Sequence, residues 1–216
     1  MDFYPLAIIL RRTSRDAWSD VAGIQRAMGP WPRRMIPEMF GFRTHFACLA
    51  VGVAAASLVP LAPASAAPTP LGIYQSWSAY ETGTGEGKTC YALSRPIREE
   101  PSLKDRGKAY FLVSDWPQRK AKAETEVVPG YSYKHGAKVT VRVGSDSFSF
   151  FTRNDGDSGA AWVEVKADEQ RLVSAMRRGA QMTVRGVSTR GTVTQDTYSL
   201  AGVSAALERI HRACHM

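Results

Sequence analysis

The sequence predicts a mainly β fold: an antiparallel β-sandwich with two short helices, one of them at the C-terminus. Three observations lead to this prediction. From residue 68 onward, most apolar residues alternate with polar ones at the period of two that a half-buried strand requires. Short clusters of Gly, Ser and Asp separate these runs. Only two segments repeat their apolar residues at helical spacing.

The clearest hairpin lies near the middle of the chain. KVTVRV at 138–143 alternates valines with polar residues, and after a Gly-Ser-Asp turn Phe148 and Phe150 continue the alternation. An early strand, CYALS, begins at Cys90. Other strand-like runs occupy residues 109–116, 123–133, 160–165, 181–189 and 191–200.

Two of these runs contain or adjoin residues that predict an irregularity or a turn. Pro129 and Gly130 predict an edge or a bulge in the run at 123–133, because proline cannot donate to a sheet ladder. Arg190 and Gly191 predict the turn of a second hairpin, which joins the last two runs.

The first helix is predicted within ADEQRLVSAMRRG, where Leu172, Val173 and Met176 share one face. Acidic residues open this segment and arginines close it, as the helix dipole favours. Gly179 stands where a left-handed cap belongs.

The second helix is predicted in VSAALERIHRAC, at the end of the chain. Leu207, Ile210 and Cys214 form one stripe at i, i+3 and i+7. Cys214 is therefore expected to point toward whatever this helix packs on.

An apolar run in the first third of the chain predicts a signal peptide. Residues 47–61 carry no charge, Arg43 precedes them, and an Ala-Ser-Ala sequence that suits signal peptidase ends at Ala66. The run is shorter and richer in alanine than the roughly 20 strongly apolar residues of a membrane-spanning helix. A weak membrane anchor with a cytoplasmic tail is the alternative.

The position of this run suggests a later start of translation. Counting from Met39 gives a signal peptide of ordinary length, whereas counting from Met1 does not. We therefore expect translation to start at Met39 or Met35. The expected divisions are a mis-annotated extension at 1–34, the signal peptide at 35–67 and a single β-sandwich domain at 68–216.

The charge of the chain is mildly positive. The net charge is +8, and residues 68–216 carry 21 Lys and Arg against 16 Asp and Glu, or +5. This excess is spread along the sequence, so it does not predict a nucleic-acid partner. WPQRKAK at 116–122 predicts a solvated loop between strands, with contact to an acidic surface, lipid or polysaccharide as the alternative. We expect no cofactor, and no membrane span after signal cleavage.

Export would leave two cysteines in the mature domain. Cleavage removes Cys48 and leaves Cys90 and Cys214, and an even number of cysteines in an exported chain predicts a disulfide. The bridge would close a loop of about 125 residues, for which the loop-entropy model gives roughly 5 kcal/mol. Two buried free thiols are the alternative.

GDSGA at 156–160 resembles the nucleophile loop of trypsin-like serine proteases, with Ser158 as the candidate nucleophile. That chemistry also requires a histidine base, an orienting aspartate and an oxyanion hole. The histidines beyond residue 68 are His135, His211 and His215, and none has the surrounding residues of that family. We expect a hairpin turn and no catalytic residue, with a secreted hydrolase built on Ser158 as the alternative.

Two other patterns resemble metal sites. Asp155 and Asp157 have a calcium-like spacing, but Lys166 occupies the twelfth position, where an EF-hand has Glu. The second pattern places three potential ligands on one face of the last helix: His211, Cys214 and His215. An oxidised Cys214 could not bind a metal, so no metal site is predicted.

Five segments, in order, resemble the invasion-associated locus B family of α-proteobacteria. They are CYALSRP (90–96), YFLVSDWP (110–117), GYSYKHGAKVTVRVG (130–144), RLVSAMRRGAQMTVRGVSTRGTVTQDTYSL (171–200) and GVSAALERIHRAC (202–214). Met-Thr-Val after the first helix and Tyr-Ser-Leu before the last are the most specific parts. The resemblance covers nearly all of residues 68–216 and none of residues 1–67.

The resemblance implies an exported periplasmic or envelope protein of mostly β structure, and the family supplies no catalytic residues. One member is linked to the entry of a bacterium into host red cells. Some members carry a cysteine shortly after the first-strand tryptophan, whereas Trp77 is followed here by Ser-Ala-Tyr, so the pairing rests on Cys90 and Cys214 alone. We expect a non-catalytic binding or structural module whose partner is an unknown protein or envelope component, with host-cell invasion as its more specific role.

Overall fold

The structure is a computed structural model that describes residues 67–216. The expected extension at 1–34 and all but the last residue of the expected signal peptide lie outside the described residues. The strands are β1 (Thr69–Tyr74), β2 (Trp77–Thr82), β3 (Thr89–Ser94), β4 (Arg98–Glu100), β5 (Tyr110–Trp116), β6 (Ala121–Val128), β7 (Lys138–Val143), β8 (Asp146–Asp155), β9 (Ser158–Val163), β10 (Gln181–Val187) and β11 (Val193–Ser199). The helices are α1 (Ala167–Arg178) and α2 (Val203–Cys214).

These strands form one antiparallel sheet in the order β1-β2-β3-β5-β6-β9-β8-β7-β10-β11-β4. The sheet curls until its two halves face each other across a common core, and Phe111 of β5 lies at the centre of that core. Its ring packs edge to face against Trp77 of β2, Phe150 of β8 and Tyr198 of β11, with centroids 6.0 to 6.4 Å away. The predicted mainly β, sandwich-like fold with two helices, one of them C-terminal, is confirmed.

The period of two in the sequence corresponds to the inner and outer faces of the sheet. In the predicted hairpin of β7 and β8, Val143 pairs with Asp146 across the turn, and the alternating Val139 and Phe150 are fully buried. The second predicted hairpin is formed by β10 and β11, with Val187 opposite Val193 at its turn. The apolar positions of the alternation in β7 and β8 therefore face the core.

Both helices pack on the inner side of the curled sheet. The buried residues of α1 and of α2 belong to the same core cluster as the inward side chains of the strands. α2 lies against β1, β2, β3 and β5, and α1 lies against β6, β7 and β8. The helices thus cover the inner side, while neither contributes to the apolar cluster on the outer face described below.

A buried ion pair fastens the loop between β4 and β5 to the sheet. The guanidinium of Arg106 donates two hydrogen bonds to the carboxylate of Asp196 on β11, and its Nε donates to the carbonyl oxygen of Pro129 at 2.7 Å. Both charged side chains are nearly inaccessible, at 1% and 3% exposed. Burial by itself lowers the pKa of Arg106, but hydrogen bonding to Asp196 and its charge raise that pKa above the usual value.

One predicted strand is shorter than expected. β6 ends at Val128. Pro129 and Gly130, where an edge or a bulge was predicted, follow the end of the strand and lie outside it. Gly130 has a φ of 78°, and a Cβ there would lie 2.2 Å from the carbonyl oxygen of Gly107. The N–H of Gly107 donates to the carbonyl oxygen of Gly130 at 2.8 Å, so this contact requires glycine.

The predicted left-handed cap at Gly179 is also wrong. Gly179 follows α1 directly but is extended, with φ −85° and ψ 161°. The reason for glycine is space: a Cβ there would lie 2.6 Å from Cγ1 of Val143 and 3.0 Å from Cδ1 of Leu200. The chain turns straight from α1 into β10 against these two core side chains.

The sequence did not predict the two edge strands. β1 contains Pro70 and Gly72, and its register shifts between them, so it lacks a clean alternation. β4 is the three-residue segment Arg98–Glu100, which is entirely charged. Short, charged or irregular strands are typical of exposed sheet edges, where they discourage pairing with other chains.

Among residues 67–216, neither helix combines the length and the apolar composition that crossing a bilayer would need.

Candidate functional site

A disulfide joins Cys90 to Cys214, the pair that the cysteine count singles out. The two Cα atoms are 5.9 Å apart, within the usual range of roughly 4.4–6.8 Å. Cys90 faces inward from β3, and Cys214 ends the buried stripe of α2. The bridge therefore ties the last helix to one of the first strands of the domain.

Beside the disulfide lies a second link between the same helix and the sheet. Asp115 of β5 pairs with Cys90 in register, and its Oδ2 lies 2.6 Å from Nδ1 of His211 on α2. Its Oδ1 accepts a hydrogen bond from the backbone N–H of Ala123 at 2.8 Å. Asp115 is fully buried, so both carboxylate oxygens have the partners that burial demands.

These contacts account for two of the three potential metal ligands on α2. Cys214 is in the disulfide and His211 is paired with Asp115, while His215 is exposed at the helix end. No group of three or more His, Cys, Asp and Glu residues suited to a metal ion occurs in the part of the chain that the structure describes.

Ser158 lies in the hairpin formed by β8 and β9. It begins β9 directly opposite Asp155 of β8, and the intervening turn is Gly156-Asp157, the segment with the calcium-like spacing. Within residues 67–216 no hydrogen bond joins Ser158 to a histidine, and the histidine that contacts an aspartate, His211, is on α2.

The outer face of β2, β3, β5 and β6 carries an apolar cluster that is separate from the core. We call it the outer aromatic cluster, and its members are Tyr80, Tyr91, Leu93, Tyr110, Leu112, Trp116 and Val128. Tyr91 and Leu112 are only 1% and 0% exposed although they point away from the core. The other five are partly exposed and form the accessible surface of the cluster.

Strand pairing builds this cluster from residues distant in the sequence. Tyr80 of β2 lies opposite Tyr91 of β3, and Leu93 of β3 lies opposite Leu112 of β5. The two tyrosine rings stack with centroids 5.4 Å apart and planes inclined by 21°. Burial raises the pKa of Tyr91, so its hydroxyl stays neutral across the physiological range.

Arginine side chains lie over the two aromatic rings at the ends of β5. The guanidinium of Arg95 is 5.4 Å from the ring centroid of Tyr110, and that of Arg119 is 4.4 Å from Trp116. Both distances are within the roughly 6 Å of a cation–π contact. Arg119 also pairs with Glu124 at 3.1 Å, so the 116–122 segment is a structured β5–β6 connection.

The same outer face continues onto β8 and β9. Phe151 lies opposite Trp162, their ring centroids are 5.7 Å apart, and Arg153 stands 5.6 Å from the centroid of Phe151. Phe151 is 36% exposed, which places it among the most exposed large apolar residues described. A second pair of outward aromatics with an arginine neighbour therefore lies on β8 and β9, beyond β6.

The outer face of the other half of the sheet is polar. Thr183 of β10 lies between Arg142 of β7 and Thr197 of β11, and Arg185 lies between Thr140 and Gln195. The two halves of the sheet thus share one core, but the outer side chains are apolar and aromatic on one half and polar on the other. This contrast supplies matched control positions for experiments on the outer aromatic cluster.

Sequence reasoning missed the outer aromatic cluster, although a signal for it exists. In YFLVSDW, Phe111 and Val113 face the core, while Tyr110, Leu112 and Trp116 occupy the other parity. A strand with apolar residues at both odd and even positions has an apolar side chain pattern on both faces of the sheet, and both faces must be covered. A pattern that alternates one apolar face with one polar face does not describe such a strand.

Comparison with known proteins gives one clear family match. The family model described as "Invasion associated locus B (IalB) protein" matches residues 77–211, which is more than half of the chain. The crystal structure of invasion associated protein B from Bartonella henselae is 15% identical, with 67% of this chain and 98% of that chain covered at a TM-score of 0.48. No curated protein matches. The family-model match confirms the resemblance carried by the sequence segments, and the chain belongs to the invasion-associated locus B family.

Proposed function

We propose that this chain is an exported periplasmic or envelope protein that acts as a non-catalytic binding module. In this proposal it contacts a protein or another envelope component through the outer aromatic cluster. The observation that carries the proposal is the cluster itself, an apolar surface with tyrosine, tryptophan and arginine on a face that neither described helix covers. Exposed apolar patches of this kind mark interaction sites.

Export is supported by the uncharged run at 47–61, by the cleavage-like sequence that follows it and by the disulfide of Cys90 and Cys214. Disulfides persist in oxidising compartments and are rare in the cytosol.

The alternative function is a secreted hydrolase that uses Ser158. We disfavour it because Ser158 has no hydrogen bond to a histidine within residues 67–216, and because the Asp115–His211 pair belongs to other elements. Incubation with a fluorophosphonate probe decides between the two. We expect no labelling of the wild-type protein, and labelling that disappears in Ser158→Ala would establish the hydrolase.

A role in host-cell invasion is the more specific form of the proposal, and its support is the family description. Deletion of the gene in an organism that enters host cells tests it. Reduced entry that the wild type restores and outer-cluster variants do not restore is the expected result. Unchanged entry would confine the protein to an envelope role.

Pull-down of the mature protein from periplasm, after mild crosslinking, tests the binding module. We expect proteins or envelope material that co-purify with the wild type to be lost with the double variant Tyr80→Ser, Tyr110→Ser. The matched control is Thr183→Ala, Thr197→Ala on the polar half of the sheet. Identical recovery with all three proteins would contradict the proposed surface.

A further inference from the structure

The geometry points to the class of partner: we propose that the outer aromatic cluster docks a protein surface that presents a carboxylate to Arg95 beside apolar side chains. This inference rests on the proposed function and narrows it. It excludes glycan chains, nucleic acid and a second copy of this chain as the main occupant. The orientation of the rings, the state of Arg95 and the charge of the domain each contribute an argument.

The aromatic rings of the outer face stack on one another. Tyr80 and Tyr91 are directly opposite each other on neighbouring strands, and their rings stack nearly parallel at 5.4 Å. One face of each of these two rings is therefore covered by the other ring. Phe151 and Trp162 repeat this arrangement on β8 and β9 at 5.7 Å and 32°. Stacking of nucleobases, and of sugar rings likewise, requires an open ring face.

The remaining rings are covered by guanidinium groups. Arg95 lies over Tyr110 and Arg119 lies over Trp116. A flat ligand would have to displace these cations, whereas a protein surface could pack around them. Tyrosine, tryptophan and arginine together are the residues enriched in the centres of protein–protein interfaces and among their hot spots.

Arg95 is the cation on this surface that is poised for a partner. It is exposed, and its contacts in the described chain are the ring and the hydroxyl of Tyr110, the latter at 3.5 Å from Nη2. No carboxylate among residues 67–216 pairs with it. A guanidinium held by stacking keeps its donor edge available for bidentate binding of a carboxylate.

The charge of the domain favours an acidic partner over a second copy. Residues 68–216 carry a net charge of +5. Two such domains repel each other at low ionic strength, whereas an acidic protein is attracted and guided toward the exposed arginines.

Site-specific photocrosslinking in cells tests this inference. The probe is p-benzoyl-phenylalanine, placed either at Tyr80 in the outer aromatic cluster or at Thr183 on the polar half of the sheet. Each probe position is combined with Arg95→Glu and, as a charge-matched control, with Arg142→Glu. The mass of each adduct is measured on the full exported protein. The measurement is repeated after treatment with muramidase, which shortens attached glycan, and after treatment with protease, which shortens attached protein.

We expect protein adducts from the Tyr80 position, few from Thr183, and a roughly tenfold lower yield with Arg95→Glu, which corresponds to the loss of about 1.4 kcal/mol of binding free energy. Arg142→Glu should leave the yield unchanged. Adducts that survive Arg95→Glu, that muramidase shortens, or that have twice the mass of this chain would overturn the inference and leave the binding module intact. Equal yields from both positions, or none, would overturn the proposed function as well.

Discussion

At the scale of single residues, the environment of Glu169 changes the pKa of its carboxyl group. It lies in the first turn of α1, and its Oε1 accepts a hydrogen bond from the backbone N–H of Thr125 on β6. β6 and β9 pair at two positions, Glu126 and Val127. The carboxylate of Glu169 therefore accepts the hydrogen bond of the strand residue just before these pairs. Burial raises the pKa of Glu169 to about 7, and the nearby Glu124 adds to the increase.

This pKa predicts the pH dependence of stability. Because the pKa in the folded protein lies above the usual 4.5, the folded state binds more protons than the unfolded state between pH 4.5 and 7. The contribution of Glu169 to the free energy of unfolding is therefore greatest at low pH and falls by roughly 3 kcal/mol across that window.

The substitution Glu169→Gln removes the titration and keeps an acceptor for Thr125. We expect a flatter profile and higher stability above pH 7, measured by chemical denaturation from pH 4 to 8. Glu208→Gln, at an exposed position of α2, is the control and should follow the wild type. A Glu169→Gln profile parallel to the wild type would contradict this assignment.

Gly179 gives a prediction about packing at one atom. Its backbone is extended and tolerates any residue, so Gly179→Ala would ordinarily be neutral or stabilising. The new methyl group would however lie 2.6 Å from Val143 and 3.0 Å from Leu200. We expect a loss of about 1–3 kcal/mol in the free energy of unfolding.

Gly87→Ala is the matched control, because its Cβ would meet no atom within 4 Å. It should change the free energy of unfolding by less than about 0.5 kcal/mol. Equal effects of the two substitutions would show that the crowding at Gly179 is not the cause.

At the scale of elements, α2 depends on its two links to the sheet. A helix of 12 residues is marginal on its own, and the disulfide and the Asp115–His211 pair hold this one against β3 and β5. We expect the double variant Cys90→Ala, Cys214→Ala to lose about 2–5 kcal/mol in the free energy of unfolding. Hydrogen exchange should show the loss first in α2.

The same substitution pair tests whether the bridge acts through α2. Exchange protection in the β7–β8 hairpin should persist at concentrations of denaturant where α2 is already open. Uniform loss of protection across both elements would contradict a local role for the bridge.

The loop between β4 and β5 depends on a buried charge pair. Arg106→Met leaves the carboxylate of Asp196 buried without its partner, which should cost about 3–5 kcal/mol in unfolding free energy. Adding Asp196→Asn removes the uncompensated charge, so the double variant should recover part of the loss. A double variant that is as unstable as Arg106→Met alone would show that packing, and not charge, fastens the loop.

Sequence reasoning predicted the elements whose pattern is local. The valines of β7 and the stripe of α2 follow from spacing alone, and each is buried as expected. The role of Gly179 and the end of β6 depend on contacts with Val143 and Gly107, which are distant in sequence. The outer aromatic cluster is harder still to predict, because it requires the pairing of β2, β3, β5 and β6 in one register.

At the scale of the whole molecule, one sheet provides both a core and two different outer faces. The curl of the sheet brings β2, β5, β8 and β11 together around Phe111. Both helices pack on the inner side of the sheet. The outer faces are therefore left to the strand side chains, aromatic on one half and polar on the other.

The central claim is that residues 68–216 form an exported, disulfide-closed domain, and one measurement tests it directly. Intact mass spectrometry of the protein from the periplasmic fraction, with thiol alkylation before and after reduction, gives the N-terminus and the state of the cysteines together. The account predicts a chain that begins at Ala67 or Pro68 and takes up two alkyl groups only after denaturation and reduction. A chain that retains Phe46–Ala66 in the membrane fraction, or two thiols that react when the protein is unfolded without reductant, would contradict it.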